Sequence, residues 1–162
     1  MIMALHKLLV DDFYDDTYAL FAIHCTIEDY RVAYLLNQFL QINLKRMPQD
    51  LDFKNEALSY SLFEWEDKNQ QMTWNLVSNA CKKEEVSESG VASLFKTQSK
   101  IIRNYNLIPE FKKVNYLLKI DNDGNVINEK AIIHKIQKIS QIVAVYSIDA
   151  MQLKSKDNLI FN

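Results

Sequence analysis

Four aspartates near the start of the chain come closest to a pattern that could bind a metal. They lie within six residues, at Asp11, Asp12, Asp15 and Asp16, and hard cations such as magnesium are bound through several carboxylate oxygens. Asp11, Asp12 and Glu110 could together form the site of a small metal-dependent hydrolase. The cluster is better interpreted as a solvated acidic turn before the first strand, because charge clusters are common on protein surfaces. We therefore predict no bound metal and no cofactor.

The nucleophile and base candidates do not combine into a catalytic pair. His24 and Cys25 are adjacent in a segment predicted to be a strand, so their side chains point to opposite faces and cannot share one metal or one proton. We expect His24 to be a hydrogen-bonded core histidine. Cys25 and Cys81 form no CxxC pair, which predicts two reduced thiols rather than a disulfide or a zinc site.

Acidic residues and glycines give little further support for catalysis. Glu64, Glu66 and Asp67 surround Trp65, but paired acids do acid–base work only in a cleft that shifts their pKa values. The chain has 2 glycines, too few for the glycine-rich loops that cradle phosphates. The sequence leaves open whether the protein is an enzyme, and these observations favour a protein without catalytic activity.

The segment after residue 120 invites a calcium interpretation that fails on spacing. An EF-hand loop that began at Asp121 would need glycine at its sixth position and glutamate at its twelfth, where the chain has Val126 and Ile132. Asp123-Gly124 is better interpreted as a tight turn with a positive φ at the glycine.

Hydrophobic periodicity predicts the elements that must position these residues. Strands are predicted at 18–25, 42–47, 58–63, 72–77, 101–107, 114–120 and 143–148, of which 58–63 and 72–77 form an antiparallel hairpin. Helices are predicted at 27–40, with Thr26 as N-cap, and at 129–139, with Asn128 as N-cap. Residues 82–90 are polar and predict a loop, whereas the tail 151–162 ends in apolar residues and should dock on the body.

This order of elements predicts one α+β domain over residues 1–162. We expect a largely antiparallel or mixed sheet with two main helices packed on one face. Such a length is enough to bury a core. A sheet of this kind can leave an edge uncovered, so self-association is one possible outcome.

The stretch between the strands at 101–107 and 114–120 contains a stiff joint. Pro109 has a fixed φ and no N–H, and it restricts Ile108 to extended conformations. The residues Ile108-Pro109-Glu110, Phe111-Lys112-Lys113 and Val114-Asn115-Tyr116 resemble the signature of the bacterial IPExxxVDY family, whose members have no assigned activity. Similar segments lie at 4–8, 21–36, 61–66 and 153–161. Asn115 stands where the family pattern has aspartate, so a role that needs a carboxylate there is not carried over.

Composition and the lengths of the apolar runs bear on where the protein is located and on what it binds. Apolar content of 48% with 25% charged residues is typical of a globular protein, and the net charge of −2 gives no bulk attraction to nucleic acid. The apolar opening is interrupted by His6 and Lys7, and no later run approaches the length of a membrane span. We expect a cytoplasmic protein that does not bind membranes.

The leading hypothesis is a binding or scaffold module that contacts a protein. Aromatic and basic residues together suit a protein surface or single-stranded RNA, so RNA stays a second possibility. The candidate contact residues are the stiff joint, its surroundings and two tail lysines: Tyr105, Pro109, Glu110, Phe111, Lys112, Lys113, Asn115, Lys154 and Lys156.

Overall fold

The molecule is built around a six-stranded antiparallel sheet. A computed structural model describes residues 18–53, 58–87 and 99–161. In chain order the elements are β1 (Tyr18–Cys25), α1 (Asp29–Leu40), β2 (Lys45–Arg46), β3 (Leu51–Phe53), β4 (Leu58–Tyr60), β5 (Leu62–Asp67), β6 (Met72–Ser78), β7 (Ala80–Ser87), β8 (Ser99–Asn106), β9 (Tyr116–Asp121), α2 (Glu129–Gln137) and β10 (Ile142–Ile148). The large sheet has the strand order β10-β1-β9-β6-β5-β2, and β3–β4 and β7–β8 form two smaller sheets.

One face of the large sheet is covered by both helices. Phe21 and Ile23 of β1 point to this face and pack with Leu36 of α1 and Ile136 of α2, all of them fully buried. The predicted α+β domain, with two helices on one side of an antiparallel sheet, is confirmed. Neither helix in the described ranges is long and apolar enough to cross a membrane.

The opposite face carries a second core beneath irregular segments. Leu20 and Leu117 point to this side, where Tyr60 of β4, Ile108 before the proline and Leu159 of the tail cover them. The tail therefore docks on the body, as predicted. Because β1 is buried on both faces, its sequence is one continuous apolar run instead of an alternating pattern.

The segment predicted to be a charged loop is in fact a strand. β7 continues to Ser87 and pairs residue by residue with β8. Charges face each other across this ribbon, with Lys100 Nζ 3.7 Å from Glu84 and Arg103 Nε 3.2 Å from Glu85. A two-stranded ribbon has no core to fill, so its sequence lacks the apolar alternation on which the prediction relied. The rest of the predicted loop lies outside the described residues.

Three local signals were correct and one was wrong. Asn128 caps α2, because its Oδ1 accepts the N–H of Ala131 at 3.2 Å. Gly124 has φ of +79°, and the strands at both sides of the proline joint are present. Thr26 is not the cap of α1. The N-cap position is Glu28, whose side chain makes no capping bond.

Two predicted strands have different bounds. The prediction at 42–47 shrinks to β2, since Asn37 bonds the backbone N–H and C=O of Leu44 and holds the chain out of the sheet before Lys45. The strand predicted at 58–63 is divided in the structure between β4 and the beginning of β5. β4 pairs with β3, and only β5 forms the hairpin with β6.

Candidate interaction site at the proline joint

The Ile-Pro-Glu segment forms a short 3-10 turn between β8 and β9. Ile108 is extended, with φ −113° and ψ 94°, and Pro109 begins the turn Pro109–Phe111. Ile108 and Val114 point into the second core, whereas Pro109 and Glu110 are exposed. Proline suits the first position of such a turn because its missing N–H has no partner to lose. The segment thus fixes two apolar anchors and presents its remaining side chains outward.

A buried asparagine that the sequence analysis did not single out holds this turn in place. Asn79 is fully buried, and its Nδ2 donates to the carbonyls of Phe111 and Val114 at 2.9 Å each. Its Oδ1 accepts the N–H of Ile108 at 2.8 Å. Both donor hydrogens and the carbonyl oxygen are therefore used on backbone groups, of which the Phe111 carbonyl also accepts the N–H of Val114 at 3.2 Å. A single asparagine between two strands gives no sequence signal for this role.

Glu110 binds the C-terminal tail. Its Oε2 accepts the N–H groups of Lys154 at 2.8 Å and Ser155 at 3.2 Å, and its Oε1 accepts the Ser155 hydroxyl at 2.7 Å. Partial burial opposes ionisation, but the bonds from Ser155 and Lys154 outweigh it and hold the pKa of the Glu110 carboxyl below its ordinary value. The carboxylate is occupied by the chain's own backbone, which gives Glu110 a structural role.

Lys119 anchors the same tail from the sheet. Its Nζ donates to the carbonyl of Leu159 at 2.9 Å and lies 4.6 Å from the ring centre of Tyr18 and 5.1 Å from that of Phe161. Burial lowers the pKa of this ammonium group. Cation–π contacts of this kind are strongest where water is excluded. Sequence analysis missed Lys119, since a lone lysine in a strand gives no sign of aromatic partners far along the chain.

Asn115 also serves the fold. Its Oδ1 accepts the N–H of Cys25 at 3.0 Å, and its own N–H donates to the carbonyl of Ile23 at 3.1 Å. The bonded position lies where the pairing of β1 with β10 becomes irregular, between His24 and Cys25. A side-chain carbonyl oxygen is all that this bond requires, so asparagine fulfils it without the carboxylate of the family pattern. Burial raises the pKa of the Cys25 thiol, which disfavours the reactive thiolate.

A groove of about 420 Å³ lies beside the proline joint. It is lined by His24, Tyr146 and the segment from Pro109 to Val114. His24 Nε2 lies 3.0 Å from the Tyr146 hydroxyl, and the two rings are tilted against each other with centres 5.5 Å apart. His24 is hydrogen-bonded as predicted, but it is half-buried at the groove rather than in the core.

Lys112 and Lys113 give the groove a net positive charge, since Glu110 is the one acidic residue in its lining. Both side chains are exposed, and neither has an ion-pair partner in the described part of the chain. Phe111 also lines the groove and is half-buried against the second core. An apolar recess with two unpaired cations at its border can accept an apolar side chain next to a carboxylate.

The structure gathers only some of the predicted site residues. Pro109, Glu110, Phe111, Lys112 and Lys113 border one groove. The other predicted contacts are not part of its lining: Tyr105 on the β7–β8 ribbon, Asn115 under β1, and Lys154 and Lys156 in the tail.

Tyr105 is half-buried and packs against the second core, so it is not the exposed contact that was expected. Its hydroxyl donates to Glu85 Oε1 at 2.5 Å, and this bond to a carboxylate raises the pKa of Tyr105. The side chain therefore stabilises the ribbon from which it projects.

The predicted metal cluster falls on residues that the structure does not describe. Asp11 and Asp12 lie outside the described ranges, and within those ranges no three His, Cys, Asp or Glu side chains come together as a metal site. Around Trp65, Glu64 Oε1 accepts from Asn75 at 3.3 Å and Asp67 Oδ1 accepts the N–H of Asn69 at 3.1 Å. These carboxylates support the β5–β6 hairpin.

Comparisons with protein-family models, curated proteins and solved structures return no match for this chain. The resemblance to the IPExxxVDY family therefore stays a prediction from the signature residues, now with a structural role for each of its three parts. Ile108 and Val114 anchor the turn, Glu110 binds the tail, and Asn115 completes the end of β1.

Proposed function

We propose that this protein is a binding module that captures an acidic, partly apolar segment of another protein in the groove at the proline joint. The observation that carries the proposal is the position of Lys112 and Lys113. Two unpaired ammonium groups border a recess formed by Pro109, Phe111 and Tyr146. Apolar contacts supply affinity in such a site, and the charges select the partner.

The rigidity of the groove supports this function. Asn79 fixes the turn from beneath, and Glu110 ties it to the tail through three hydrogen bonds. A preformed site loses less conformational entropy on binding than a flexible loop. A protein segment is favoured over RNA because the charged border consists of two lysines next to one recess, while the net charge of the chain is −2.

Charge reversal at the groove tests the proposal. The probe is a fluorescein-labelled peptide of alternating valine and threonine flanked by two glutamates, and binding is followed by fluorescence anisotropy. Replacing Lys112 and Lys113 with glutamate should weaken binding at least tenfold, because two attractive contacts become repulsive. Lys130→Glu with Lys135→Glu, on the exposed side of α2, is the matched control and should bind like the original protein.

Three results would contradict the proposal. The peptide could fail to bind at millimolar concentration, or its affinity could be equal in the two charge-reversed proteins. Alternatively, a labelled oligouridine could bind more tightly than the peptide and lose binding in the Lys112→Glu, Lys113→Glu protein. That result would identify single-stranded RNA, instead of a protein segment, as the ligand of the groove.

The metal-dependent hydrolase that uses Asp11, Asp12 and Glu110 gains no specific support. Its aspartates lie outside the described residues, and the Glu110 carboxylate already accepts three hydrogen bonds from the tail. A direct measurement is the melting temperature with magnesium, manganese or a chelator. We expect no change, because a ligand that binds only the folded state would raise it.

A further inference from the structure

The edge strand β10 has the properties of a site that accepts another strand. It is seven residues long, Ile142–Ile148, and contains neither a charged residue nor proline. Among the described residues it pairs with β1 alone. The backbone groups on its outer side therefore have no ladder partner, and natural proteins usually protect such an edge with charges, proline or a short length.

A bulge protects only the beginning of this edge. The register passes from His24 opposite Ala144 to Cys25 opposite Ile142, which leaves Val143 as the extra residue. Val143 is 80% exposed. Residues 144–148 keep a regular register with β1, and this regular part is long enough for a short strand to pair with it.

The regular part of β10 is continuous with the groove. Tyr146 belongs to the edge strand and at the same time lines the groove beside Lys112 and Lys113. An added strand would lie about 4.8 Å beyond β10. Its side chains on this face would stand next to Tyr146, within reach of the two ammonium groups. Backbone pairing and side-chain recognition thus fall on one surface.

We infer that β10 binds the acidic segment of the partner protein as a seventh, antiparallel strand of the sheet. This inference rests on the proposed function and specifies how the partner is held. The added backbone would pair with residues 144–148, while one apolar side chain enters the groove and a carboxylate meets Lys112 or Lys113. Strand addition supplies affinity through main-chain hydrogen bonds and specificity through alternate side chains.

Charge complementarity favours an acidic partner over a second copy of this chain. Two copies that pair through β10 would be related by a two-fold axis perpendicular to the sheet. Their grooves would then lie on the same face, and each would add two lysines and one carboxylate, that of Glu110, whose oxygens already accept three hydrogen bonds from the tail. An acidic segment removes this repulsion.

Backbone methylation of the valine–threonine peptide tests strand addition. Two versions carry N-methyl groups on alternate residues, one on the odd positions and one on the even positions. In a paired strand only one set of N–H groups faces β10. We expect one version to lose binding at least tenfold and the other to bind within threefold of the unmethylated peptide. Amide resonances of β10 should shift on binding, whereas those of β2 should not.

The outcomes separate this inference from the proposed function. If both methylated versions bind like the parent peptide and charge reversal at Lys112 and Lys113 still abolishes binding, the groove stands and strand addition is overturned. If charge reversal has no effect, the proposed function itself fails. A free protein whose mass doubles with concentration, or cross-links from β10 to residues 1–17 of the same chain, would show that another occupant holds the edge and would overturn the inference.

Discussion

At one end of the six-stranded sheet lies β2, which has two residues, both basic and exposed. At the other end lies β10, which has seven residues and no charge. Arg46 of β2 is engaged by an ion pair with Asp50, a bond to the carbonyl of Leu62 at 3.3 Å and the ring of Phe63 at 5.6 Å. Short length and charge thus protect the β2 edge, whereas within the described ranges the β10 edge has neither protection nor a second strand beside it.

The segments next to the two edges also differ in how many side-chain hydrogen bonds hold them. Next to β2 the hairpin β5–β6 is held by the side-chain bond from Asn75 to Glu64. Next to β10 the proline joint is held by Asn79, which makes three side-chain bonds to backbone groups. The second arrangement borders the groove of Lys112 and Lys113, so the rigid support and the proposed binding site lie together at the β10 end.

The largest loss of stability should come from removing the Asn79 side chain, which holds the proline joint at the β10 end. Asn79→Ala leaves the N–H of Ile108 and the carbonyls of Phe111 and Val114 buried without their partner. We expect the free energy of unfolding to fall by about 3 kcal/mol, measured by urea denaturation.

Asn75→Ala is the matched control at the β2 end. This asparagine is also buried, but it makes one side-chain bond of 3.3 Å to a half-buried glutamate. Its loss should cost about 1 kcal/mol. Equal losses for the two variants would contradict the difference that we assign to the two ends.

A smaller effect should follow from removing the charge that closes β2. Arg46→Leu loses the ion pair with Asp50, the bond to Leu62 and the contact with the Phe63 ring. We expect the free energy of unfolding to fall by about 1 kcal/mol, because these contacts are largely exposed. Lys45→Leu, at the neighbouring exposed position, should change it by less than about 0.5 kcal/mol. A loss at Lys45 as large as that at Arg46 would show that the charge alone, and not its contacts, stabilises this edge.

The smallest change in stability should come from the hydrogen bonds between Glu110 and the tail, which depend on pH. The folded-state pKa of Glu110 lies below the ordinary value of 4.5. Its bonds to Lys154 and Ser155 therefore contribute fully above that value and are lost as the pH falls through the lower, folded-state pKa. The amide resonances of Lys154 and Ser155 should move together over this acidic range.

Glu110→Gln provides the control for this titration, since the variant keeps an acceptor oxygen and has no proton to gain in this range. Its two tail amides should not move with pH. The free energy of unfolding should change by no more than about 0.5 kcal/mol, because Glu110 is exposed to solvent. Unchanged amide positions in the original protein below pH 4.5 would contradict the assignment.

The sequence predicted the parts of the fold that follow from local chemistry. The apolar run of β1, the Asn128 cap, the positive φ of Gly124 and the proline joint each depend on neighbouring residues. β7 was missed because it is a polar, charged strand that is defined by backbone pairing with β8, a segment distant along the chain. A local pattern carries no information about such partners.

The candidate site was predicted in its residues but not in their roles. Phe111, Lys112 and Lys113 do border one groove, yet Glu110 and Asn115 bind the chain's own backbone. Asn79 and Lys119 were missed because their importance lies in contacts with segments distant in sequence. Tyr146 lies at the site because β10 pairs with β1. The sequence of β10 alone does not reveal this pairing.

The two-residue length of β2 has a consequence for stoichiometry. Growth of a fibril by edge-to-edge pairing needs two reactive edges on every molecule, as a linear polymer needs bifunctional monomers. Among the described strands of the large sheet, β10 is the one long and uncharged edge, so this sheet can add a single strand. Pairing through the large sheet would therefore give a finite one-to-one complex instead of a growing aggregate.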